Sequence, residues 1–149
     1  MTYLRKHQIQ SSFTEAYHPN ENPCERRGGA LKAAVIHCLV VTNADLEFWC
    51  YCLEHICLLQ SVIAHRRLGW RTLHELHYGD TPDISMFRFE FWCPVWYYAP
   101  KQSFPKSKIL RGRFLGIAKN VGDVFCFLVL TNPDDTNKPQ QVIARTVVR

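Results

Sequence analysis

Around "GDTPDIS", residues 79–85, the chain changes period. Before this link, apolar residues recur three and four apart, as on helices buried along one side. After it they alternate or come in short runs bounded by turn residues, as in strands. Such a switch restricts the chain to helices segregated from a sheet, the α+β class. The boundary divides it into a helical part, 1–78, and a strand-rich part, 79–149. The first part has two helices and at most one strand, too little to close a helix-and-sheet core alone.

In the helical part, "MTYLRKHQ" reads as the end of a helix and "IQSSFTEAY" as a short extended segment. Asn22 and Pro23 then announce a helix, since Asn is favoured at the N-cap and Pro at the first helical position. Leu31, Ala34, Val35, Cys38, Leu39 and Val41 form its apolar face. Asp45 is placed to cap a second helix, with Leu46, Trp49, Cys50, Leu53, Ile56, Cys57 and Ile63 as its stripe. That helix is expected to end near "HRRLG", with Gly69 after the basic residues. In the second part "MFRFEFW" alternates, with Phe87, Phe89 and Phe91 on one side. "VWYYA", "RFLGIA", "DVFCFLVL" and "QVIARTVV" complete a set of short strands suited to a small barrel or sandwich.

The 149 residues are 47% apolar, which excludes a disordered tail. "MTYLRKHQIQ" has no apolar h-region, and the longest apolar runs are interrupted by His37, Glu54 and His55. Neither a secretory signal nor a membrane span is expected, and the nucleus or cytoplasm is the implied compartment. Seven cysteines, an odd number, then read as reduced thiols. Cys50, Cys52, His55 and Cys57 crowd one helical segment with no second ligand pair, unlike a structural zinc site. Cys50, Leu53 and Cys57 share a face, so core packing is expected of them. His74 and His77 are three apart, not at the His-x-x-x-His spacing of a helical zinc pair. No metal site is expected.

The net charge of +5 is concentrated beyond residue 78, where ten Lys and Arg face six Asp and Glu; the first part has eight against seven. From Lys101 to Lys119 the run "KQSFPKSKILRGRFLGIAK" holds Lys101, Lys106, Lys108, Arg111, Arg113 and Lys119 and no acid. Such a run pairs with phosphates in a sequence-independent, salt-sensitive way, or is a solvated loop whose lysines keep strand edges apart. "FRFEFWCPVWYYAP" packs seven aromatics into residues 87–98. Stacking on bases or caging a methylated lysine would use such rings. A small barrel must fill its interior with large side chains, so core packing is the expectation here.

In "HPNENPCERR", Glu25 falls at the third position of the helix that Asn22 caps. Asn-x-x-Glu is a capping-box pattern with Asn in place of Ser or Thr. Its carboxylate also complements the positive helix end.

Four segments, in order, resemble the integrase of copia-type LTR retrotransposons. "HPNENPCERR" is similar to the segment around the last acid of that family's D,D,E triad. "FWCYCLEHICLLQ" resembles the Trp-led helix that follows. "TLHELHYGDTPDIS" resembles the T-P-x-E…G-x-x-P-D-I-S link, with Leu73 where the family usually has Pro. "GRFLGIA" leading to "VIARTVVR" resembles the SH3-like module after the core. The aromatic "FW-x-PVWYY" is nearest to a divergent algal and protist branch. The resemblance implies a partial RNase H-like core followed by an SH3-like β-barrel, with Glu25 as the third carboxylate. It also implies DNA as a partner, weakly and non-specifically bound through Lys101 to Lys119, and an upstream polyprotein segment.

The family's two aspartates precede the glutamate, whereas residues 1–24 contain no Asp. Two Mg²⁺ ions need several hard oxygen ligands, so Mg²⁺ is expected only in an intact integrase and no enzymatic activity is expected of this chain alone. Two other classes stay open: a protein-interaction module built on the barrel, and a functionless remnant of a decayed element.

Overall fold

The computed structural model describes residues 22–119, 121, 126–133 and 139–149. The expected helix end at 1–8 and extended segment at 9–17 lie outside the described residues. The fold is α+β. Three helices, α1 (Pro23–Thr42), α2 (Trp49–Val62) and α3 (Leu73–Tyr78), precede four strands. These are β1 (Pro94–Tyr98), β2 (Ile109–Ala118), β3 (Cys126–Thr131) and β4 (Val142–Arg145). They form one antiparallel sheet in the order β1-β2-β3-β4.

Beyond β4 the chain returns to the free side of β1. Tyr97 bridges Val148, and Trp96 and Arg149 exchange backbone hydrogen bonds of 2.7 and 2.9 Å. The pairing therefore runs around a ring. Val95, Tyr97, Leu110, Phe114, Ile117, Phe127 and Val129 fill its interior.

α1 starts where Asn22 and Pro23 predict, but the cap differs from a capping box. Asn22 Oδ1 accepts from Cys24 N at 3.0 Å, not from Glu25 N. Glu25 remains in the first turn, complementing the helix end. The reciprocal box forms instead at α3, between Thr72 and Glu75, with bonds of 2.8 and 3.0 Å. α1 ends at Asn43, whose φ of 51° lets its N–H reach Leu39 and Val40 carbonyls.

The stripe predicted for α2 holds only in part: Leu53 and Ile56 pack against the core. Phe48, Cys52 and His55 are buried, whereas Leu46, Trp49, Cys50, Cys57 and Ile63 are exposed. Asp45 precedes a 3₁₀ turn, Leu46–Phe48, and makes no side-chain capping bond. α2 stops at Val62, and the basic residues lie beyond it in a second 3₁₀ turn, Arg66–Leu68, closed by Gly69. Cys50 and Cys57 are thus not core residues; Cys52 is, and burial beside Cys38 pushes its thiol up to about 12.

The alternation in "MFRFEFW" does not produce a strand. Turn bonds from Phe87 N to Ile84 O and from Cys93 N to Glu90 O break the extended run. Its rings still go inside. Phe87 and Phe89 pack into the barrel, while Phe91 and Trp92 turn the other way and meet Val35, Leu39, Phe48 and Cys52 from α1 and α2. Leu115 and Leu130 join that second cluster from the sheet's outer face, so the helices and the barrel share apolar core. A β-bulge makes this possible: the β2–β3 register shifts between Phe114 and Gly116. Phe114 and Ile117, three apart, both face inward, and Leu115 is left to meet the helices.

His55 joins the two clusters. Its ring lies 6.3, 6.1 and 5.8 Å from those of Phe87, Phe91 and Phe114, and its buried Nδ1 has no partner. Burial holds its pKa below the ordinary histidine value of 6.5. The unfolded chain therefore binds the proton first as pH falls. The His55 contribution is complete above about pH 6.5 and is lost toward the lower folded pKa, by at most about 1.4 kcal/mol per pH unit. Urea melts between pH 7.5 and 5 are expected to show this slope in the wild type. A His55→Phe variant with the same slope would exclude His55 as its source.

Candidate nucleic-acid interface

The register of β1 and β2 brings cations and aromatics onto one open face. Trp96 pairs with Arg111, Pro94 with Arg113 and Tyr98 with Ile109. Directly paired residues point to the same side of a sheet. On its other flank Trp96 is bonded through the backbone to Arg149. A row Arg111–Trp96–Arg149 thus crosses three adjacent segments. Trp96 is 54% exposed and Tyr98 43% exposed, contrary to the expectation that the aromatic block is all core. The physical reason is the strand period: Val95 and Tyr97 fill the interior, so Trp96 and Tyr98 must face out.

Beside the row, the 99–108 link carries the exposed Lys101, Lys106 and Lys108. Lys101 and Lys106 line an open cavity of about 450 Å³ with Tyr97, Leu110, Ile143 and Arg145, at the end of the barrel rather than on the Trp96 side. Arg145 Nε donates to the Tyr98 carbonyl at 3.2 Å, which fixes its stem along β1. β1, β2, β3 and β4 contain no Asp or Glu. The face is positive and aromatic, and can hold phosphates around a stacking ring.

The six cations of the basic run do not form one patch. Arg113 donates to Trp92 O at 3.2 Å, and its guanidinium carbon lies 5.9 Å from the Trp92 ring centroid. It is held at the seam with the helices. Lys119 sits at the far end of the ten-residue β2, where it pairs with Glu54 at 3.1 Å. Arg149 belongs to the row although it lies outside the run. Sequence inspection misses it because only the return of the chain to β1 brings it there.

Glu25 is exposed on the first turn of α1, on a different element from this face. Among the described residues no group of three His, Cys, Asp or Glu is disposed to hold a metal ion. His74 and His77 pack on Tyr78, with ring centroids 4.7 and 4.6 Å away. No helix among the described residues is long and apolar enough to cross a membrane.

Fold and site together define an α+β chain with a basic, aromatic sheet face. Comparison with protein-family models, curated proteins and solved structures gives no match.

Proposed function

We propose that this chain is the later portion of a retrotransposon integrase of the copia type, and that its own activity is weak, non-specific DNA binding by the β1–β2 face. In this reading the helices are the end of an RNase H-like core, and the ring of strands is an SH3-like barrel. The observation that carries the binding function is Trp96, solvent-exposed between Arg111 and Arg149 beside strands that contain no Asp or Glu. Two further features support the larger reading. Glu25 stands on the first turn of a 20-residue helix, a braced position for a carboxylate ligand. The outer side of that helix is apolar and uncovered, with Ile36, Val40 and Val41 at 63, 73 and 68% exposure, as suits a helix whose sheet partner is supplied from upstream.

The chain by itself is not an enzyme under this proposal. Mg²⁺ chemistry belongs to an intact integrase in which two aspartates join Glu25, and the nucleus or cytoplasm is where such a protein works.

Fluorescence anisotropy with single- and double-stranded oligonucleotides over a salt series tests the binding. Each phosphate contact contributes about −0.9 to the slope of log affinity against log salt on duplex DNA. Lys101→Ala with Arg111→Ala is expected to flatten the slope by about 2. Trp96→Ala is expected to weaken single-strand binding about tenfold or more, since stacking contributes about 1–3 kcal/mol per base. Affinity that ignores salt, or variants indistinguishable from wild type, would reject the face as the interface.

A further inference from the structure

A second concentration of positive charge lies on the helical side, away from the sheet face. Arg27 near the start of α1 and His65, Arg66, Arg67, Leu68 and Leu73 beyond α2 line an open cleft of about 500 Å³. Among the described residues no carboxylate lines it. The one described ion pair is elsewhere, between Lys119 and Glu54.

The cleft is built before any ligand arrives. Arg27 Nη2 donates to Gln60 Oε1 at 2.7 Å, which anchors the guanidinium against the end of α2. Residues 65–71 form a tight loop. His65 N donates to Arg71 O at 3.0 Å, and Trp70 N returns to His65 O at 3.1 Å. Gly69 N closes the inner turn on Arg66 O at 3.1 Å, with Gly69 at a φ of 65° that suits glycine. Arg66 and Arg67 are thus displayed from a fixed backbone. His65 Nε2 is buried and without a hydrogen-bond partner among the described residues.

Like charges held together on a rigid frame, with no acid between them, repel one another unless an anion bridges them. Guanidinium groups match phosphate with paired N–H donors. We propose that this cleft is a phosphate-binding site. Its residues are Arg27, His65, Arg66 and Arg67, with Leu68 and Leu73 as its apolar wall. The phosphate comes either from a free anion or from a nucleic-acid backbone. The site shares no residue with the β1–β2 face, so it does not rest on DNA binding there.

The test uses the full chain and thermal melting with inorganic phosphate against sodium chloride at matched ionic strength. Phosphate also stabilises proteins by exclusion from their surface, so the informative quantity is the difference between wild type and variant. A saturable rise in Tm is expected in the wild type, with at least tenfold weaker phosphate affinity in Arg66→Ala/Arg67→Ala. Arg66→Lys/Arg67→Lys, which keeps the charge and loses the fork, is expected to fall between the two. Far-UV circular dichroism checks that each variant folds, and Leu73→Glu gives a second route to the same loss by placing a carboxylate at the wall. Competition by oligothymidylate for the phosphate-dependent shift identifies a backbone source; its absence identifies a free anion. Equal saturable shifts in wild type and the alanine variant overturn the site, as does a wild-type shift no larger than that in chloride. Loss of oligonucleotide binding in Trp96→Ala leaves the phosphate shift unchanged, so the two proposals fail separately.

Discussion

Replacing Phe114 by alanine is expected to cost about 3–5 kcal/mol, the range for a buried aromatic truncated in a close-packed core. Phe114 is 1% exposed. Its ring centroid lies 5.5 Å from Phe89, 6.0 Å from Phe127 and 5.8 Å from His55. The first two contacts belong to the barrel, and the third reaches α2. Removing the ring therefore opens a void where the two parts of the chain meet, one the surrounding backbone is too constrained to collapse into. A cost of this size is a large share of the stability of an ordinary domain. Urea melts followed by helical circular dichroism and by tryptophan fluorescence should shift together. If the helical signal holds its midpoint while fluorescence shifts, the shared core does not couple the parts.

The second large effect is expected at Gly112, where valine should destabilise by about 3 kcal/mol or more, at or beyond the usual cost of overpacking. The argument is space, not backbone conformation. A Cβ at Gly112 would stand 2.5 Å from Val129 Cγ1, 2.7 Å from Leu130 O and 3.3 Å from Tyr97 Cε1. Leu130 O is backbone within the β2–β3 pair, and Val129 is stiff and fully buried, so neither yields cheaply. Relief requires β2 and β3 to separate. Denaturant midpoints and amide exchange along β3 measure the cost, and a loss below about 1 kcal/mol would mean the strands part more easily than this packing allows.

Much of the architecture is legible from local chemistry. Asn22-Pro23 marks the start of α1 and "GDTPDIS" the switch to strands, whereas Gly69, expected to follow the end of α2, closes a separate 3₁₀ turn. The errors arise where tertiary contacts choose among locally equivalent options. In α2 the residues Trp49, Cys50 and Cys57 are as apolar as Phe48 and Cys52. Only the approach of α1 and the Phe91–Trp92 pair decides which face is covered, and it selects the one bearing His55. In 87–91 the alternation reports which rings are buried but not that turns replace the strand. The Leu115 bulge leaves no period to read, because it breaks the alternation it serves. The Thr72-x-x-Glu75 box was open to sequence inspection, since its pattern is local. The row Arg111–Trp96–Arg149 was not, because it depends on two registers. Lys119 illustrates the reverse case: its charge reads as free in the sequence, yet Glu54 from a distant helix meets it.

Val148 and Arg149 have a role out of proportion to their number. Among the described residues Val148 and Arg149 alone occupy the outer side of β1, through one bridge and two backbone bonds. Unhooking them would leave Trp96 with an idle donor and acceptor beside an apolar interior, and the barrel would gain a template on which another chain's strand could polymerise. The safeguard against self-association in this fold is thus the clasp that Val148 and Arg149 place on β1.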